Sequence, residues 1–462
     1  MSVSTDNRGQ WGSKFGFIMA AAGSAVGLGN IWRFPYITGQ YGGGAFVLVY
    51  ILCVLLIGVP LLFTEMGFGR FTKKSTIGAF KDTGANSIYM GLGALMAVLV
   101  SFFVLTYYGV IAGWTIGYIF KTLTGSMGSF EDFASNAAYT IPLMAVFTLV
   151  TILIVLGGVS GGIEKAAKVL MPLLFGLILL VAIRSLMLPG AMAGVDFYLN
   201  PDFSKINGNS ILAALGQAFF SMSIGWGIMI TYGSYLPKSA NIVSSGVWVG
   251  IMDAGVALLA GFMIFPAVFA FGKSPDQGQA LVFQVLPEIF SSMPGGAIIG
   301  ALFFLLLMVA ALTSSISMLE VPASYFLDEK KWSRKKAAWV VGILVFIVGI
   351  PSALSHGASN FFTTIELSLP WLNAPKVGVQ SILDYLFGEL FIVIVAFTTC
   401  TYVAWKMPIK NIVGELDQGS PEFKAGNFAS NTFVFFIRYV CPVVILLVLL
   451  NMFGLFGVFA GA

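Results

Sequence analysis

Charge is what this chain has least of. Charged residues make up 10% of its 462 positions, hydrophobic ones 58%, and the mean hydropathy is +0.93. A water-soluble fold of this size would be left with broad apolar patches and would aggregate, so a soluble globular protein is excluded. Histidine is nearly missing: His356 is the single one, and it can anchor neither a histidine metal cluster nor a serine–histidine pair. Cys53, Cys400 and Cys441 are too few and too deep in apolar runs for a disulfide framework, and read as buried free thiols. The net charge of +4 comes from residues scattered over short loops, not from a basic stripe, which argues against nucleic acid as a partner. No nucleophile, base and orienting group stand together, so an enzyme is not expected. The run Gly42-Gly43-Gly44 lacks the Lys followed by Ser or Thr of a phosphate loop. It reads as close helix packing.

What the chain has in abundance is apolar runs long enough to cross a hydrocarbon core of about 30 Å. Eleven spans are expected, at residues 15–37, 43–69, 88–121, 140–157, 166–188, 211–235, 242–271, 296–326, 337–354, 378–405 and 432–456. With a cytoplasmic amino terminus, most Lys and Arg residues fall inside, among them Arg70, Lys73, Lys74, Lys330, Lys331, Arg334 and Lys335. The outside receives mainly Lys121, Arg184, Lys205, Lys273 and Lys376. This bias sets the orientation and puts the carboxyl terminus outside. Met1 to Gln10 lacks the cationic, apolar and small-residue order of a cleaved signal, so span 1 is expected to stay.

Two spans are interrupted in matching places, by Gly23-Ser24-Ala25-Val26-Gly27-Leu28-Gly29-Asn30 and by Ser221-Met222-Ser223-Ile224-Gly225-Trp226-Gly227. Unwound backbone at membrane depth is tolerated only where it lines a cavity or is buried in protein, so paired breaks point to a binding site near the midplane. Each break opens a group of five spans, residues 15–188 and 211–405. An odd number makes the second group enter from the opposite side, which is the plan of an inverted repeat. Residues 1–14 then form a cytoplasmic gate segment and 432–456 a peripheral eleventh span. Among ionisable groups inside spans, Asp253 is a functional candidate by default, because such a group is costly unless paired. Glu65, Glu320 and Glu389 must likewise pair or stay protonated; Glu65 and Glu320 read as scaffold.

The stretch Ala25-Val26-Gly27-Leu28-Gly29-Asn30-Ile31-Trp32-Arg33-Phe34-Pro35-Tyr36 resembles the span-1 signature of neurotransmitter:sodium symporters. Gly42 to Phe46, Pro60 with Glu65 and Gly69-Arg70, Gln217 to Gly227, and Ala311-Leu312-Thr313-Ser314-Ser315 reinforce it. The chain is similar to the bacterial, eleven-span branch, which has the leucine-transporter fold. The resemblance implies an all-α integral membrane protein with a 5+5 inverted repeat, discontinuous spans 1 and 6 and an eleventh span. It also implies sodium-coupled import of neutral amino acids by alternating access.

At each break, free half-helix amino ends suit a substrate carboxylate and free carbonyls suit cations. The amides of Leu28 and Gly29 and the hydroxyl of Tyr108 are the expected carboxylate contacts. Carbonyls of Ala25, Phe220 and Ser221 with the Ser223 hydroxyl would hold the amine. The resemblance implies two sodium sites. The first would use Ala25, Asn30, Ser221, Asp253 and the substrate's own carboxylate; the second Gly23, Val26, Ala310, Thr313 and Ser314. The bland reading of Thr313 and Ser314 is bonding back within their own helix. Chloride-dependent members are expected to be neutral where this chain has Asp253, so no chloride is expected, with room for outward proton movement on the empty return. Asp253 merely bonding nearby hydroxyls is the structural alternative.

An outer gate of Arg33 with Asp384, lidded by Tyr108 and Phe220, and an inner gate of Arg8 with Asp328, packed by Trp11 and Tyr235, are implied in the same way. Gly162 and Pro172 match a family motif for unwinding at the start of span 5; a static kink is the alternative. Ala25, Gly27, Val104, Tyr108, Phe220, Trp226, Ser314, Ser315 and Met318 should surround the substrate. Trp226 resembles the tryptophan of the family's glycine carriers, which implies glycine, alanine or similar small substrates, while flexible Met318 leaves larger apolar ones open. The reading places the chain in the cell's inner (plasma) membrane, among lipid. A sodium-dependent sensor that binds an amino acid without moving it is the alternative function.

Overall fold

The computed structural model describes residues 9–126, 128–275, 281–372 and 374–455. Among them, nine helices are long and apolar enough to cross a membrane. They are span 2 (Gly44–Thr72), span 3 (Tyr89–Thr124), span 4 (Ala137–Leu156), span 5 (Val159–Leu186), span 7 (Ile242–Ala270), span 8 (Gly296–Asp328), span 9 (Arg334–Leu354), span 10 (Val379–Lys406) and span 11 (Phe428–Met452). A tenth, span 1, is the pair Lys14–Ala25 and Gly29–Gln40, bent by 48° at its break. Span 6 is split further, into Gly208–Ser221 and Ile228–Ser234. Its halves hold 14 and 7 residues, too short to cross singly at about 1.5 Å per residue. The order of elements matches the expected spans, and span 1 extends three residues further, to Gln40.

Gly225 (φ +83°) and Gly227 (φ +71°) turn the chain through the span 6 break in the left-handed region, where a Cβ is costly. Ser223 adopts φ +55° without that licence, a local strain held by its surroundings.

Lipid offers no hydrophobic drive to bring helices together, so close packing does the work. A Cβ on Gly233 of span 6 would come within 2.8 Å of the Met66 Cα of span 2, and one on Gly113 of span 3 within 2.8 Å of the Met144 amide of span 4. Span 3 is the most enclosed, with 72% of its apolar window buried, against 39% for spans 4, 5 and 11. The last three present Leu153, Ile183 and Leu446 outward as lipid-facing surface. The triglycine segment does pack closely: Gly43 (φ +72°) and Gly44 lie against the backbone of Phe197–Asn200, at the end of the loop helix Ala191–Leu199. All three cysteines are buried and unpaired.

Candidate substrate and ion sites

Each break is held by side chains that replace missing helical hydrogen bonds. At span 1, the Gly27 amide donates to Asn30 Oδ1 (3.2 Å), the Leu28 amide to the Tyr108 hydroxyl (3.2 Å), and Gln217 Nε2 to the Gly29 carbonyl (2.9 Å). At span 6, the Gly225 amide donates to Glu65 Oε1 (2.9 Å), while Ser101 Oγ and Thr76 Oγ1 donate to the carbonyls of Trp226 (2.7 Å) and Gly227 (3.0 Å). Glu65, read from the sequence as scaffold, thus grips the break directly.

Between the breaks lies a cavity of about 20 Å³. Ala25, Gly27, Leu28 and Gly29 of span 1, Tyr108 of span 3, Phe220, Ser221, Ser223 and Trp226 of span 6, and Ser314 and Met318 of span 8 all border it. Sequence reasoning missed Ser24 and Ile228, which also line it. No bordering residue is acidic or basic. A Cβ on Gly27 would stand 2.5 Å from Ser314 Oγ, so glycine is what keeps this space open. Two expected residues lie elsewhere. Val104, one turn before Tyr108, is packed outside the cavity. Ser315 faces span 4, bonding Thr151 Oγ1 (3.0 Å) and the Leu312 carbonyl (2.9 Å), because the residue after Ser314 in a helix points about a quarter-turn away.

Asp253 is fully buried and accepts from Asn30 Nδ2 (2.7 Å), Tyr50 Oη (3.0 Å) and Ser221 Oγ (2.9 Å). Every one of these donors is neutral. A carboxylate so enclosed, with hard oxygens of Ser221 and Asn30 beside it, suits a sodium ion, which would supply the missing positive charge. Tyr50 is an addition that the sequence did not flag. On the other side of the span 1 break, Ser314 Oγ lies 3.4 Å from the Gly23 carbonyl, 3.2 Å from that of Ser24 and 3.4 Å from that of Ala310. Thr313 Oγ1 bonds the Ala310 carbonyl at 2.9 Å. Both hydroxyls do bond back within span 8, yet Ser314 also reaches span 1. A Cβ on Gly23 would sit 3.1 Å from Thr313 Cβ and 3.2 Å from Met171 Sδ of span 5, so spans 1, 5 and 8 meet here. Span 5 is helical through Pro172 in this conformation, and Gly162 lies in its wide first turn, Val159–Glu164.

Above the cavity, the expected Arg33–Asp384 pairing needs correction. Arg33 Nη2 instead meets Glu389 Oε1 at 3.3 Å and its guanidinium lies over the Phe220 ring, 4.8 Å from the centroid. Asp384 accepts from the Tyr107 hydroxyl at 2.8 Å. The cause is a wide π-helical turn over Asp384–Leu390, with the Phe391 amide on the Leu386 carbonyl, five residues back. Such a turn stacks residues five apart on one side and brings Glu389 round to Arg33. The only sequence signal for Glu389 was an acid inside an apolar run.

At the opposite end, Trp11 Nε1 donates to the Tyr232 carbonyl (2.9 Å), its ring standing edge-on to Tyr232 (5.1 Å) and Tyr235 (6.4 Å). Asp328 accepts from the Ser75 amide at 2.5 Å. Arg8, the expected partner of Asp328, lies outside the described residues. Glu320, read from the sequence as scaffold, is fully buried and accepts from Tyr235 Oη (2.6 Å) and from both terminal nitrogens of Arg334 (2.8 and 3.0 Å). Glu164 accepts from the Gly12 amide (2.6 Å) and Ser13 Oγ (2.8 Å), with Lys168 at 2.6 Å, so the start of span 5 clasps the chain entering span 1.

The family model for the sodium:neurotransmitter symporter family matches residues 8–132 and 126–456. The chain belongs to this family. Its members are transporters, not enzymes, and the chain is a multi-pass, sodium-coupled symporter. An uncharacterised sodium-dependent transporter from Bacillus subtilis, YhdH, is 39% identical, over 95% of this chain and 96% of the relative. Another, from Haemophilus influenzae, is 34% identical over 97% and 98%. Among solved structures, MhsT in complex with L-phenylalanine superposes with a TM-score of 0.86 at 40% identity, covering 96% of this chain and all of that one. The symporter therefore shares the leucine-transporter fold inferred from its span-1 signature.

Proposed function

We propose that this symporter imports small neutral amino acids with two sodium ions and without chloride, and that its two five-span groups form an inverted repeat. The observation that carries the reading is a cavity between two helix breaks with no acidic or basic side chain on its wall. Main-chain ends can meet a substrate's own two charges, and nothing there would balance a third. The substrate carboxylate goes to the amides of Leu28 and Gly29 and to the Tyr108 hydroxyl, which turns from the Leu28 amide to receive it. The ammonium goes to the carbonyls of Ala25, Phe220 and Ser221 and to Ser223 Oγ.

One sodium lies between that carboxylate and Ala25, Asn30, Ser221 and Asp253, so ion and substrate reinforce each other's binding. Asp253 supplies the negative charge that would otherwise call for chloride, and takes a proton for the empty return. The second sodium bridges Gly23 and Val26 of span 1 to Ala310, Thr313 and Ser314 of span 8, and unwinding between Gly162 and Pro172 lets it leave. Following the lysine bias, the Trp11 end with Asp328 faces the cytoplasm. Arg33, Tyr108 and Phe220 close the outer side, and alternate closure of the two ends moves the cargo.

A cavity of about 20 Å³ holds one or two waters, so the site must widen for any amino acid, and the Trp226 indole limits how far. MhsT holds L-phenylalanine; here glycine, alanine and serine fit better. The test is uptake of labelled neutral amino acids into proteoliposomes under an inward sodium gradient, with potassium and with gluconate controls. Sodium-driven accumulation of small substrates that persists without chloride is the expected result. Tight sodium-dependent binding with no accumulation would overturn it.

A further inference from the structure

We propose that Glu389 is a second gate carboxylate, and that Arg33 is handed between Glu389 and Asp384 as access to the substrate site opens and closes. The inference builds on the outer-gate reading above and extends it to a residue that reading did not contain.

Two cavities lie above the lid. One of about 910 Å³ and one of about 400 Å³ share Arg33, Tyr36, Phe220 and Glu389 as wall, so the Arg33–Glu389 bridge stands between them. The smaller cavity also borders Leu28, Gly29, Tyr108 and Phe220, the residues that roof the substrate cavity, and is therefore the last step of the route inward. Asp384 lines only this smaller cavity, held there by Tyr107. Closing the route means filling that space. The Arg33 side chain stands on its wall, and the carboxylate that would receive it is Asp384.

The π-helical turn makes the exchange geometrically direct, because Asp384 and Glu389 present on the same side of span 10, one wide turn apart. Gly388 lets them do so: a Cβ there would press on Asp384 Oδ1, 2.5 Å away, and on the Tyr107 hydroxyl. Lys376 is the other cation on this wall, placed over the Tyr385 ring at 5.3 Å and close enough to act on Glu389, but only Arg33 is seen bridged to one of the two acids. In the present conformation the bridge to Glu389 keeps Arg33 beside Phe220 and the smaller cavity open. A carboxylate that holds the open state and one that holds the closed state bias a two-state element in opposite directions.

The experiment places a reporter cysteine at Ser381, an exposed position on the smaller cavity, in the full-length protein in proteoliposomes. A membrane-impermeant thiol reagent reads its accessibility, with Cys53, Cys400 and Cys441 silent because they are buried. Glu389→Gln should slow labelling about fivefold and Asp384→Asn should speed it by a similar factor, the scale of losing one charge-assisted hydrogen bond. Unchanged labelling in Glu389→Gln, or a shift in the same direction in both variants, overturns the proposal. If Glu389→Gln does not fold, Glu389→Asp, which keeps the charge but shortens the reach, should give a smaller slowing, and no slowing counts against the proposal. Labelling needs no knowledge of the cargo, so failure of the amino-acid reading in uptake assays is a separate result.

Discussion

Replacing Asp253 by Asn tests the ion chemistry at its centre. Three neutral donors converge on this carboxylate, with Tyr50 and Ser221 on one oxygen and Asn30 on the other. An amide in its place must turn its NH₂ toward at least one donor, leaving a buried group unmet at a cost of about 1–3 kcal/mol. Tyr50 and Ser221 already lie 2.9 Å apart and can bond each other, which brings the folding cost to the lower end of that range, about 1 kcal/mol. Sodium loses more, since its one anionic protein ligand disappears; a charged partner is worth up to about 3 kcal/mol, or roughly a hundredfold in affinity. Sodium titration of substrate binding in detergent, with thermal unfolding run alongside, separates the two effects. The expected outcome is a modest fall in Tm and a rise of about a hundredfold in half-saturating sodium, with weaker substrate binding at any fixed sodium and partial recovery on adding chloride. A half-saturating concentration within threefold of the parent would refute Asp253 as a sodium ligand and leave it a buried hydrogen-bond acceptor.

Trp226→Leu removes the ring that limits the cavity, and competition assays should show phenylalanine binding at least about tenfold tighter while glycine weakens, the usual scale for reshaping an apolar pocket. Thr313→Val keeps the shape of span 8 but deletes a hydroxyl of the second ion site; the Hill coefficient for sodium should fall from about 2 toward about 1, measured by uptake under varied sodium. Arg334→Gln leaves Glu320 buried without its cation, a loss of roughly 3 kcal/mol for a broken buried pair, to be seen as a lower Tm or as faster labelling of a cysteine on the Trp11 side.

Some of the site was legible one residue at a time. Gly27, Gly29, Gly225 and Gly227 announce breaks because glycine inside an apolar run is poor helix, and Asp253 announces itself because a carboxylate there needs a reason. Of the residues at those breaks, Ala25, Gly27, Leu28 and Gly29 of span 1 and Phe220, Ser221, Ser223 and Trp226 of span 6 line the cavity between them. Other residues carried no such mark. Tyr50 and Ile228 look like ordinary span residues, and Glu164 like a loop acid, until spans far apart in the chain are laid together.

A multi-span membrane protein with two glycine-rich breaks could be read from residues alone, since hydrophobic length and glycine content act through the nearest few residues and the solvent around them. Which partner each polar side chain takes depends on how the spans pack. Arg33 meets Glu389 instead of Asp384 because one wide turn in span 10 rotates an acid into reach, and Glu320 is claimed by Arg334 and Tyr235 because spans 6, 8 and 9 converge there. Such pairings depend on the rotation and register of helices packed together from separate stretches of the chain, 14, 85 and 356 residues apart in these three cases, and a hydrogen bond is lost within an ångström or two of misplacement.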